Sequence, residues 1–289
     1  MKKTLALLLA LVMCLAMLTA CGSSDTTTDN NSNSNTTTDP TNTENTDSQN
    51  TDDTTEPTDE SGTTFTTVKE GVLTMSTNAA FPPYEMTTDD GGFEGIDIEV
   101  AQALAEHLGL ELEILDMDFD AALMAVQEGK SDIVMAGVTV DEDRLLVMNF
   151  TDSYANGVQS IIVPEGSDIT TNDLAGKTIG TQRGTTGWQY CSDDYGDEAV
   201  IAYDDGITAV QALLNGQVDC VVIDNAPAQS FVEANAGLKI LDTEYANEDY
   251  AIGVNKSNTA LLDALNAALA ELIEDGTVQT IVDKYIPAA

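Results

Sequence analysis

Apolar residues along this 289-residue chain fall into runs of different period, and each run predicts an element. Residues 5–18 (LALLLALVMCLAML) are almost unbroken apolar sequence, shorter than the roughly 20 apolar residues a membrane-spanning helix needs. From Gly71 the stretch GVLTMSTN reads as a short extended run. GIDIEVAQALAEHLGL then places Ile98, Ala101, Ala105 and Leu108 at helical spacing, with Gly109 as its stop. LELEIL alternates as a strand does, and FDAALMAVQEGKSDIVMAG reads as a helix ending at Gly129 followed by a buried strand over 132–136. Strands alternating with helices predict an α/β fold with largely parallel sheets.

The last of these units recurs. AVQEGKSDIVMAG and ALLNGQVDCVVID share a helix, a glycine, two residues, an aspartate and an apolar strand, the first ending at Gly137 and the second at Asp224. Two similar units so far apart predict two similar lobes. Ligands of open α/β sheets bind beyond the carboxyl ends of strands, so both strand ends are candidate ligand walls. KTIGTQRGTTGW adds a strand over 177–180 and a helix starting near Thr186. Free backbone N–H groups at a helix start, beside the Thr185 and Thr186 hydroxyls, suit an anion.

Composition changes the picture at the front of the chain. Lys2 and Lys3 precede the apolar run, and LTAC ends it at Cys21, so residues 1–20 read as an export signal rather than as structure. Residues 21–66 are mostly Thr, Asn, Asp and Ser. Such a segment has too little apolar surface to offset its chain entropy and reads as a flexible tether reaching roughly 35–40 Å. The remainder suits two modest lobes as well as one larger domain. Ten basic residues stand against 50 acidic ones, a formal charge of −40, which argues against nucleic acid and anionic lipid surfaces as partners. Cys191 and Cys220, the cysteines of the body, read as unpaired buried residues.

Only two residues are arginine, Arg144 and Arg183. Arg144 follows the Gly137-Val138-Thr139 turn, and its planar fork suits a carboxylate. Asp224, at the equivalent strand end of the other unit, offers the matching anion for an ammonium. An arginine and an aspartate facing each other across a cleft describe a zwitterion, a free α-amino acid. Phe81, presented by Pro82 and Pro83, and Phe119 would pack on its side chain.

These residues, within AFPPYE, GFEGIDIEVAQALAEHLGL, DMDFDAALMAVQEGKSDIVMAGVTVDEDR, NFTDSYANG, DLAGKTIGTQRGTTG and VDCVVIDNAPA, resemble the family 3 extracellular solute-binding proteins, the amino-acid receptors of ABC importers. The resemblance runs in order over nearly all of the chain past the tether. It implies a two-lobed, type II periplasmic-binding-protein-like α/β fold: lobe 1 over 67–153 and 252–289, lobe 2 over 158–246, and hinge crossings at 154–157 and 247–251. It implies that Arg144 and the loop of Thr185 and Thr186 hold the ligand carboxylate and that Asp224 holds the ammonium. Gly137, Val138 and Thr139 would contact both charged groups, and Phe81 would stack on the side chain. LTAC is similar to a lipobox, which implies acylation of Cys21 and an extracytoplasmic protein anchored in the membrane beside its permease; a monomer is expected. No cofactor or metal is implied. Asn78, Phe81, Phe119, Gln182 and Ile223 match the family's side-chain pocket; none is charged, which predicts a ligand with an uncharged side chain. Enzymes and sensor domains share the fold. His107, the sole histidine, sits on a helix face that reads as surface, and the sequence offers no nucleophile–base pair, so binding rather than catalysis is expected.

Overall fold

A computed structural model describes residues 64–171, 174–242 and 245–287. The expected export signal, Cys21 and nearly all of the tether lie outside them. Phe65, inside the expected tether, is buried in the main core, so the packed body begins before residue 67.

Strand β1 (Val72–Thr77) is buried along its length. Its polar residues tolerate this because they find partners: Ser76 Oγ donates to the Ala122 carbonyl at 2.9 Å, and the Thr74 amide donates to Asp132 at 2.8 Å. A small antiparallel sheet follows, formed by β2 (Ala80–Phe81), β3 (Glu85–Thr87) and β4 (Phe93–Glu94). Helix α1 (Ile96–His107) buries Ile98, Ala101 and Ala105 of the expected stripe together with Leu104, and Leu108 is buried just past its end. Gly95 starts it at φ 131°, where an added Cβ would lie 2.2 Å from the Tyr84 carbonyl oxygen. Only glycine permits that entry.

The chain continues through β5 (Glu111–Asp116), α2 (Phe119–Gln127), β6 (Ile133–Val134), α3 (Glu142–Val147) and the 17-residue β7 (Met148–Pro164). Then come β8 (Ile179–Gln182), α4 (Thr186–Tyr195), β9 (Val200–Tyr203), α5 (Gly206–Leu214), β10 (Cys220–Asp224), α6 (Asn225–Ala234) and β11 (Leu238–Ile240). Strand β12 (Ala246–Asn255) and helices α7 (Thr259–Glu274) and α8 (Thr277–Tyr285) complete the body. The sequence repeat is a structural repeat as well. Gly129 and Gly216 take left-handed φ of 68° and 67° at the ends of α2 and α5. Lys130 N donates to Ala125 O at 2.8 Å, and Gln217 N to Ala212 O at 2.9 Å. Asp132 and Asp219 then each accept a backbone N–H, from Thr74 in β1 and from Thr178 just before β8 respectively, both at 2.8 Å.

Among the described residues the main sheet runs β5-β1-β6-β12-β7-β10-β8-β9, with β11 on β7. Strands β5, β1 and β6 are parallel at one end, and β10, β8 and β9 are parallel at the other. The antiparallel pair β7 and β12 joins the two groups, with Asn247 opposite Val158 and Tyr250 opposite Ala155. The C-terminal helices return to the first group: the Gly95 amide, at the head of α1, donates to Tyr285 Oη of α8 at 3.2 Å. Cys191 and Cys220 are buried and unpaired. No helix of the described residues is long and apolar enough to cross a membrane.

Candidate functional site

The ends of β6 and β10, the β2–β3 turn, the start of α2 and the loop between β8 and α4 converge on a small, partly enclosed pocket. Its wall contains Asn78, Phe81, Phe119, Gly137, Thr139, Arg144, Gln182, Thr185, Thr186 and Asp224, together with Ala136 and Glu85. Val138 and Ile223 fall elsewhere. The Val138 side chain is fully buried in the core formed by α2, β6 and Met148, and its carbonyl accepts from the Ala251 amide at 3.1 Å. It therefore holds the turn against β12 rather than facing the pocket. Ile223 belongs to the main core and packs against Gly206, where an added Cβ would come within 2.5 Å of its Cδ1.

Arg144 is not surface decoration. Its side chain is 11% exposed and pairs with Asp141, which also caps α3 by accepting the Arg144 amide at 2.7 Å. The guanidinium donates to the Thr139 carbonyl at 2.8 Å and to the Gly184 carbonyl at 3.2 Å, and it lies 5.5 Å from the Phe119 ring centroid. Arg144 thus touches both sequence elements expected to hold a carboxylate. Thr185 caps α4 by accepting the Trp188 amide at 3.3 Å, and the Thr186 hydroxyl lies 3.5 Å from that of Thr139. Arg183 instead points outward, half-exposed, to the Ala202 carbonyl and Asp204. His107 meets Glu271 at 3.5 Å on α7, away from the pocket wall.

Asp224 ends β10, buried, and its carboxyl accepts from Tyr250 Oη and from Gln159 Nε2 at 2.8 Å. The same Gln159 amide donates to buried Glu248 at 3.0 Å. One amide donor thus serves two carboxylates. Burial, and then the Glu248 charge, push Asp224 up to about 7. Behind it an aromatic series runs from Tyr250 to Tyr84, 5.2 Å apart and edge to face, and on to Phe81 at 5.8 Å. Asp97 accepts the Gly137 amide at 2.9 Å and the Tyr154 hydroxyl at 2.7 Å, and burial moves it up to about 6. Glu85, also fully buried, is raised well above the usual carboxylate range by burial and by Asp97. Glu85, Gln159, Glu248 and Tyr250 escaped notice in the sequence because no spacing links them. Antiparallel pairing places Glu85 opposite Phe81, and Gln159 opposite both Ala246 and Asp224. The one local signal was an acidic residue two positions after the double proline. Among the described residues no group of three or more metal-ligating side chains is positioned to hold a metal ion.

Two α/β lobes joined by a pair of long strands, with a polar pocket at the strand ends, define a ligand-binding protein of the type II periplasmic-binding-protein-like fold. The chain belongs to the bacterial extracellular solute-binding proteins, family 3, whose family model matches residues 73–288. It is 31% identical over 226 residues to the L-cystine-binding protein TcyJ of Escherichia coli (strain K12), covering 76% of this chain and 85% of that one. It is 30% identical over 220 residues to ABC transporter arginine-binding protein 1 of the same strain, covering 74% and 90%. Among solved structures, an ancestral arginine-binding protein bound to glutamine superposes with a TM-score of 0.73 at 38% identity, covering 76% of this chain and all of that one.

Proposed function

We propose that this protein is an extracytoplasmic receptor that captures a free α-amino acid between its lobes and presents it to the permease of an ABC importer. The observation carrying this reading is that one pocket wall contains both a buried guanidinium, Arg144, and a buried carboxylate, Asp224, from opposite ends of the sheet. That pair matches the two charges of an α-amino acid. The named activities of the relatives, cystine and arginine binding, agree with this ligand class. The role is binding without chemistry. The expectation of an uncharged side chain rested on a pocket without further charged groups; with Glu85 in the wall that premise falls, and the ligand class is the free amino acid.

In this reading lobe 1 spans 65–153 and 252–289, lobe 2 spans 158–246, and the lobes turn about 154–157 and 247–251, the stretches where β7 and β12 pair between the two groups of strands. The receptor acts as a monomer, held at the membrane by acylated Cys21 on a tether that ends before the buried Phe65. A thermal-shift screen of the full chain against the common amino acids tests the binding. An amino acid at 100 times its Kd should stabilise the fold by about 2.7 kcal/mol, and a screen in which none raises Tm overturns the reading. The anchor is tested separately by Cys21→Ala. The variant is expected to leave the membrane fraction and still bind ligand; retention on membranes would remove the lipid anchor.

A further inference from the structure

Glu85 is the one carboxylate of the pocket wall that has no role in holding the two backbone charges of an amino acid, and it is poorly served by the protein. It is fully buried on β3, directly opposite Phe81, and residues opposite each other on paired strands share a face. Among the described residues no N–H or O–H group reaches either of its carboxyl oxygens. Its near neighbour is another carboxyl, that of Asp97, already occupied by the Gly137 amide and the Tyr154 hydroxyl. A proton shared between these two carboxyls serves one Glu85 oxygen and leaves the pair with about one net negative charge. An unpaired buried charge is costly, so the pocket lacks a cation or a strong donor at this point.

The neighbouring polar groups have the same bias. Gln182 Nε2 spends its protons on Asn78 Oδ1 at 2.9 Å and the Asp204 carbonyl at 3.4 Å, and Asn78 Nδ2 donates to the Met117 carbonyl at 2.9 Å. What Gln182 keeps for a ligand is its acceptor oxygen. Phe81 and Phe119 supply aromatic walls, which favour a cation. Charge balance points the same way: Arg144 is already paired with Asp141, while Asp224, Glu248, Glu85 and Asp97 are all buried acids without a cationic partner among the described residues.

We infer that Glu85 is the specificity-determining residue for the ligand's side chain and that it takes a cationic group, a guanidinium or an ammonium, so that the receptor selects basic amino acids. The inference rests on the amino-acid reading of the pocket and adds the side-chain class to it. L-arginine and L-citrulline separate the two, because they differ in the charge and donor count of one terminal group and little in shape. In calorimetric titrations of the full chain, L-arginine is expected to bind about 10–100-fold tighter than L-citrulline, the scale of one charge-assisted hydrogen-bonded contact. Glu85→Gln, which keeps the size and removes the charge, is expected to bring the two ligands close to parity. Equal affinity of the wild type for both overturns the assignment and needs no variant to fold. An arginine preference that survives Glu85→Gln overturns Glu85 as its source. Binding of neutral amino acids with none of arginine or lysine overturns the side-chain class and leaves the amino-acid receptor standing, whereas failure of every amino acid to bind removes both.

Discussion

Alanine in place of Arg144 is expected to weaken amino-acid binding by about 2–5 kcal/mol, the cost of truncating one side of a buried charge pair. The loss has two parts. The ligand carboxylate forfeits a planar two-pronged donor, and Asp141, which pairs with Arg144 and caps α3, loses the charge that offsets its own. Arg144→Lys is expected to recover little, because a single ammonium cannot serve a bound carboxylate while also meeting the Thr139 and Gly184 carbonyls as the guanidinium does. Isothermal titration of wild type and both variants with the best ligand of the thermal screen measures this. Near wild-type affinity for Arg144→Ala would mean that the arginine braces the cleft and leaves the ligand carboxylate to the amides at the start of α4.

The second large effect concerns Asp224 and has a pH signature. An ammonium needs the carboxylate form, and Asp224 is raised to about 7 by burial and Glu248. Without ligand, roughly one molecule in a hundred carries the Asp224 carboxylate at pH 5. Affinity is therefore expected to fall about tenfold per unit below pH 7, and ligand capture near neutrality should release a proton. Calorimetry in buffers of different ionisation enthalpy reads that proton directly. Asp224→Asn should lose about 2–5 kcal/mol of binding and most of the pH slope below 7; a slope unchanged in the variant would assign the titration to another group.

The same shift alters the stability of the ligand-free protein. The carboxyl holds its proton more tightly folded than unfolded, its ordinary value being 3.8. Its contribution to stability is then fully present below about pH 4 and is lost as pH rises through about 7. Asp97, moved up to about 6, acts in the same direction. Heat resistance without ligand should accordingly decline across this window, and a bound ammonium should restore it. Wild type and Asp224→Asn, melted with and without ligand from pH 4 to 8, separate the Asp224 share.

Local chemistry was enough to read most of the framework from the sequence. The stripe of α1, the repeated helix–glycine–strand unit and the helix start at Thr185 and Thr186 each depend on residues a few positions apart, so their signals survive in one dimension. The same holds for Arg144 and Asp224, because Asp224 ends a recognisable strand and Arg144 follows the Gly-Val-Thr turn past another. Glu85 in the pocket wall, and Gln159 and Glu248 around Asp224, were decided by tertiary structure. Glu85 lines the pocket only because β3 folds back on β2, and Gln159 links Asp224 to Glu248 only because β7 pairs with both β10 and β12. Val138 shows the converse: it lies between two pocket residues in sequence, yet its side chain points into the core. Adjacent residues of extended backbone face opposite ways, and which face becomes the ligand wall is set by what packs behind it. Burial then sets the charge states that matter for binding, since a carboxyl's proton affinity depends on water and charges brought near it from distant parts of the chain.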